Sequence, residues 1–177
     1  MKSQKIVSVN RVYPKANDSK YVTAKYYNAL KEDFDEYVFR SDIIDATSAT
    51  LGLTAKDTNK LILLDRAAGV TVSLPAAEIG LRFRFLVNSD VTSNGYIINT
   101  QNTSDLFTGG VMITDSTTPE APDMFKPDLS NDDSMTMDGS TTGGLIGTAF
   151  EIICTSANRW YVTGVLDGAG TLATPFS

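Results

Sequence analysis

The sequence predicts an all-β fold, an antiparallel β-sandwich or jelly-roll-like body carrying an N-terminal arm and one α-helix. Three observations point there. Apolar residues recur at a period of two through several short runs, the spacing of a strand with one face buried. Val, Ile and Thr recur in those runs, and Gly, Asn and Ser punctuate them. The stretch from Phe150 to Val165 joins two alternations, Phe150-Ile152-Cys154 and Trp160-Val162, across the polar Thr155, Ser156, Ala157 and Asn158. That is the pattern of an antiparallel hairpin. It holds the only tryptophan, beside Tyr161. A pair this large belongs at the centre of a sheet.

Taken in order, residues 1–20 read as an extended basic arm: Lys2, Lys5, Arg11, Lys15 and Lys20 face only Asp18. Lys5-Ile6-Val7-Ser8-Val9 has strand chemistry and suits addition to a neighbour's sheet edge. Residues 21–45 read as an amphipathic helix and the start of a linker. Thr23 supplies an N-cap, and Tyr26, Leu30, Phe34 and Tyr37 or Val38 form a stripe at spacings of three and four. A lone helix of that length is marginal in water, so the stripe packs either on the chain's own sheet or against symmetry mates.

Residues 46–177 read as the β-domain. Leu61 to Leu64 is apolar at every position, as in a strand covered on both faces. Val70, Val72 and Leu74 alternate with Thr71 and Ser73 and stop at Pro75. Leu81, Phe83, Phe85 and Val87 alternate with Arg82 and Arg84, which point the same way and suit an anion or an acidic loop. Asn94-Gly95 marks a turn before Tyr96. Asp115 to Gly144 reads as a long acidic surface loop, rich in Pro, Ser, Asp and Gly. Its aspartates match no calcium-loop spacing and read as solvated carboxylates. The tail from Leu166 docks on a neighbouring subunit or frays.

At 177 residues with 42% hydrophobic content, the chain suits one domain with a buried core. The one cysteine, Cys154, excludes an intrachain disulfide and falls on an apolar strand face, which suits a buried, inert thiol. There is no histidine. That removes the usual partner of a nucleophile, and neither a phosphate loop, a nucleophile elbow nor a Cys/His metal cluster is present. No enzyme and no cofactor is expected. Nor is nucleic-acid binding, since apart from the arm no basic patch is interleaved with aromatics. No secretory signal or membrane-length apolar run is expected.

The segments from Leu61 to Val87, Ser93 to Thr100 and Gly147 to Val165 resemble a recurrent β-module of virion structural proteins from tailed bacteriophages. The likeness lies in Leu64-Asp65, Val70-Thr71-Val72-Ser73-Leu74-Pro75, Gly80 to Phe85 and Trp160 to Gly164. It implies a capsid decoration (cement) protein on the head surface, assembled in the host cytoplasm, often a homotrimer and bound to the major capsid protein. The alternative is a receptor- or carbohydrate-binding module of a fibre or tail, which needs an exposed aromatic; Tyr96 and Tyr161 are its candidates. For the first reading the expected contacts are Lys5, Ile6, Val7, Val9 and Arg11 of the arm, Tyr26, Leu30 and Phe34 of the helix, and Arg82 and Arg84 of the body.

Overall fold

The computed structural model describes residues 42–117 and 122–177. The arm (Lys5, Ile6, Val7, Val9, Arg11), the helix (Tyr26, Leu30, Phe34) and residues 118–121 of the acidic stretch lie outside these.

The first six strands alternate between two sheets. β1 (Ile43–Ala46), β3 (Leu61–Leu64) and β5 (Arg82–Val87) lie side by side in one, and β2 (Thr50–Gly52), β4 (Val70–Ser73) and β6 (Tyr96–Asn99) in the other. Parallel neighbours need a long return path. Here each return path is itself a strand of the opposite sheet, so the chain winds in stacked coils. The registers run Ile43, Leu61, Arg84 across one sheet and Leu51, Val72, Ile98 across the other. Coil corners stack as tightly as the strands do. Gly69 and Gly95 both have positive φ, the Val70 N–H donates to the Gly95 carbonyl, and a Cβ on Gly69 would sit 2.2 Å from that oxygen.

The rest of the chain extends both sheets. β7 (Leu106–Asp115), β8 (Asp123–Phe125), β10 (Ala149–Ser156) and β11 (Arg159–Gly168) join the larger one, in the order β1-β3-β5-β10-β11-β7-β8. β9 (Ser134–Met137) completes the smaller one as β2-β4-β6-β9. The expected hairpin is present: β10 and β11 pair antiparallel, with Cys154 opposite Trp160 and a turn at Asn158, whose φ is +63°. It sits at the middle of the larger sheet, as its aromatic content requires.

The described residues are therefore all-β, with a single short 3-10 turn at Ala55–Asp57. The sheets are mixed and not antiparallel throughout: every pairing among β1 to β6 is parallel, as is that of β11 with β7. Inward residues of both sheets, among them Ile62, Phe85, Trp160, Val72, Ile98 and Met135, share one core. Phe85 stacks on Phe150 with ring centres 4.7 Å apart, and Phe83 lies 6.1 Å from Trp160. The Trp160 Nε1 has no acceptor.

Two segments differ from expectation. The 115–144 stretch is not a bare loop: it contains β8 and β9, and Met135 and Met137 are fully buried. The tail docks on its own chain. Phe176 is buried, its ring centre 6.2 Å from that of Phe107, while the Ser134 and Asp133 N–H groups donate to the Ser177 carbonyl. The tail thereby covers the outer edge of β9, an edge that otherwise invites pairing with another chain.

Candidate functional site

Strand alternation sends one set of side chains from the larger sheet into the core and the other set outward. The inward set is closed. The outward set is unusual for a sheet face turned to solvent, because it is largely apolar. Reading the registers across six strands places Leu63, Leu86, Ala149, Val165, Met112 and Met124 in one row. A second row runs Ile43, Leu61, Arg84, Glu151, Thr163 and Gly110. A third brings Arg82, Ile153, Tyr161 and Thr108 together. Ile43 is 59% exposed, Met124 66%, Tyr161 41% and Val165 39%. Between the first two rows lies a shallow depression of about 390 Å³, bordered by Leu61, Leu86, Ala149 and Thr163, with Arg84 and Glu151 also lining it.

The charges on this face are largely engaged with one another. Arg82 Nε donates to Glu151 Oε1 at 2.5 Å, a diagonal contact across β5 and β10, and Arg84 stands directly opposite Glu151 in the register. The hydrogen bond to Glu151, then its charge, raises the Arg82 pKa above its already high ordinary value. Glu151 thus meets an arginine of its own sheet, which answers part of the expectation that Arg82 and Arg84 await an acidic loop. Lys126 flanks the same face, its Cγ 3.2 Å from where a Cβ on Gly110 would lie.

The two aromatic candidates separate. Tyr96 is fully buried; its single hydroxyl proton faces the Ser89 carbonyl at 2.7 Å, with the Leu64 carbonyl as the more distant alternative at 3.1 Å, and its oxygen accepts from the Arg66 N–H. It pins a coil corner and offers no platform. Tyr161 does reach solvent, with its ring edge over Gly109, where a Cβ would lie 2.9 Å from Cε2.

Among the described residues no other concentration of chemistry competes with this face. Cys154 is buried, and desolvation raises its thiol pKa above the ordinary value, only partly offset by a hydrogen bond from the Ser156 backbone; its S–H donates to the Ser156 carbonyl at 3.3 Å. Asp138, Asp128 and Asp115 brace turns: Asp138 accepts from the N–H groups of Ser140 and Thr142, Asp128 from that of Ser130, Asp115 from that of Thr117. Among the described residues no three His, Cys, Asp or Glu side chains gather as metal ligands, and no helix is long and apolar enough to cross a membrane.

Sequence reading picked out Arg82 and Arg84, and a strand at Leu61 to Leu64 covered on both faces, but missed that the apolar row continues across the neighbouring strands. The signal was present as unbroken apolar runs: Leu61 to Leu64, Phe85 to Val87, Val111 to Ile113, and Ile152 to Cys154. Each places a hydrophobe at a position that a solvated face would fill with Thr, Lys or Glu. The chain matches no protein-family model, no curated protein and no solved structure.

Proposed function

We propose that this chain is a structural protein of a tailed-phage virion, a capsid decoration or cement protein that works by contact. Its sandwich-like body holds an apolar sheet face toward its partners, and many copies together add interface to the shell. The reading draws on the sequence resemblance to virion β-modules. The structural observation that carries it is the outward apolar row from Leu63 to Met124. An exposed apolar face of this breadth marks an interaction surface. Homo-oligomerisation, trimeric in the resemblance, multiplies weak contacts with the major capsid protein into tight attachment.

Mixing the purified full chain with undecorated heads, followed by native mass measurement and electron microscopy, tests the assignment. Regular added density on the head surface is expected. Density confined to tails or fibres, or none at all, contradicts it. In the same assay, removal of residues 1–20 is expected to leave a folded body that no longer binds heads.

A second reading, a receptor- or carbohydrate-binding module of a fibre or tail, is favoured by one observation: Tyr161, exposed beside the Arg82–Glu151 pair. Aromatic rings flanked by hydrogen-bonding groups suit sugar faces. A glycan array with no hits sensitive to Tyr161→Ala removes this reading.

A further inference from the structure

Resting on the reading of the chain as a contact-making structural protein, we infer that the outward face of the larger sheet is where one copy of this chain meets a second copy. Three observations select that occupant.

The first is size. Seven strands at about 4.8 Å spacing, three to ten residues long and about six on average at about 3.3 Å per residue, make a face of roughly 29 by 20 Å. Two such faces pressed together bury about 1,200 Å², the lower bound of stable, specific interfaces. The second is shape. A two-fold contact, which closes a dimer and not the trimer of the resemblance, requires one surface to carry both the knob and the hole. Here the depression bordered by Leu61, Leu86, Ala149 and Thr163 lies directly beside Val165, the exposed neighbour of Ala149 in the register.

The third is charge. The chain carries a net -6. This face departs from that balance: Arg82, Arg84, Arg159 and Lys126 stand against Asp45, Glu151 and Asp167. Two copies that meet here keep their excess negative charge on surfaces turned away from each other, so the repulsion that opposes association elsewhere on the molecule is least at this face. A strongly acidic or strongly basic partner finds no single-sign patch here to grip.

Sedimentation equilibrium of the full chain over a range of concentrations tests the inference, with Val165→Glu and Met124→Glu on the face and Leu129→Glu as a control. Leu129 is 60% exposed, between Val165 and Met124 in openness to solvent, but lies in the turn after β8. The wild-type chain is expected to self-associate. Each face variant should weaken association at least tenfold with an unchanged β circular-dichroism spectrum, and the control should match wild type. Met124, more exposed than Val165, serves if the Val165 variant fails to fold. A wild-type chain of single-copy mass throughout, face variants that associate as tightly as wild type, or a control that weakens equally would each overturn the interface. Head binding is scored separately. A chain that stays monomeric yet decorates heads removes this interface and leaves the function, whereas one that self-associates but ignores heads does the reverse.

Discussion

The inward and outward faces of the larger sheet are built by the same strands and are both apolar, yet they do opposite jobs. Inward, Ile62, Phe85, Phe150, Ile152 and Trp160 are buried against residues of the smaller sheet. Outward, Leu63, Leu86, Val165 and Met112 have no such second layer in the described body, and Val165 and Met124 reach solvent. The inward face secures the fold. The outward face costs solubility and contributes little to folding, so its apolar character is explained by what docks on it.

Substitutions on the two faces should therefore separate stability from association. The largest stability loss is expected at Trp160→Ala, about 3–5 kcal/mol, read as a lowered urea midpoint. Trp160→Phe is expected to lose distinctly less, because it keeps an aromatic ring in the core while, like the alanine variant, leaving no unpartnered Nε1 donor. Equal losses for the two would mean that the phenylalanine ring recovers none of the packing that the alanine variant gives up.

Next in size is Gly164→Ala, where an added Cβ would meet the Phe150 Cβ and the Ala149 carbonyl oxygen at 2.5 Å. An overpacking loss of about 1–3 kcal/mol is expected in the same titration. Gly52→Ala, with nothing within 4 Å of the added atom, should be close to neutral. If Gly164→Ala proves neutral too, the β10–β11 contact is looser than its register implies.

A smaller, pH-dependent effect belongs to Asp138. Burial is the largest single influence on its carboxyl and pushes its pKa up, but the Thr142 and Ser140 N–H groups and the Thr141 and Thr142 hydroxyls together hold it below the ordinary 3.8. Folding thus favours the ionised form. The resulting stabilisation is present above pH 3.8 and is lost as pH falls through the lowered native value. Thermal melts of Asp138→Asn should show a shallower acid-side decline than wild type, and parallel curves would remove Asp138 as a contributor. Smallest of all is Val165→Ala, expected to change monomer stability by about 0.5 kcal/mol or less while still weakening self-association.

Much of the fold was legible because a period of two fixes which side chains share a face. The hairpin, the alternation from Leu81 to Val87 and the burial of Cys154 all follow from it. Strand partners were not legible, because the same period serves parallel and antiparallel neighbours alike. Nothing in Leu61–Leu64 says that its neighbours are β1 and β5 while the next strand in sequence crosses to the other sheet. β9 was hidden by its surroundings: Met135 and Met137 alternate with Ser134 and Thr136, but Asp, Asn and Gly on both sides give the stretch the composition of a loop. The tail was hidden for a related reason, since Phe176 is anchored by tertiary contacts with Phe107 and β9 that no local pattern encodes. Of the candidate face, its arginines stood out by type, while its hydrophobes were taken as core.

The central claim is that the outward face is covered in the working assembly, and the methionines report on it directly. Hydroxyl-radical footprinting of the full chain, dilute and then concentrated or head-bound, compares Met112 and Met124 on that face with Met135 and Met137 in the core. Oxidation of Met124 and Met112 is expected to fall several-fold on assembly while Met135 and Met137 stay protected throughout. Unchanged oxidation of Met124 and Met112 in the assembled state would contradict the account.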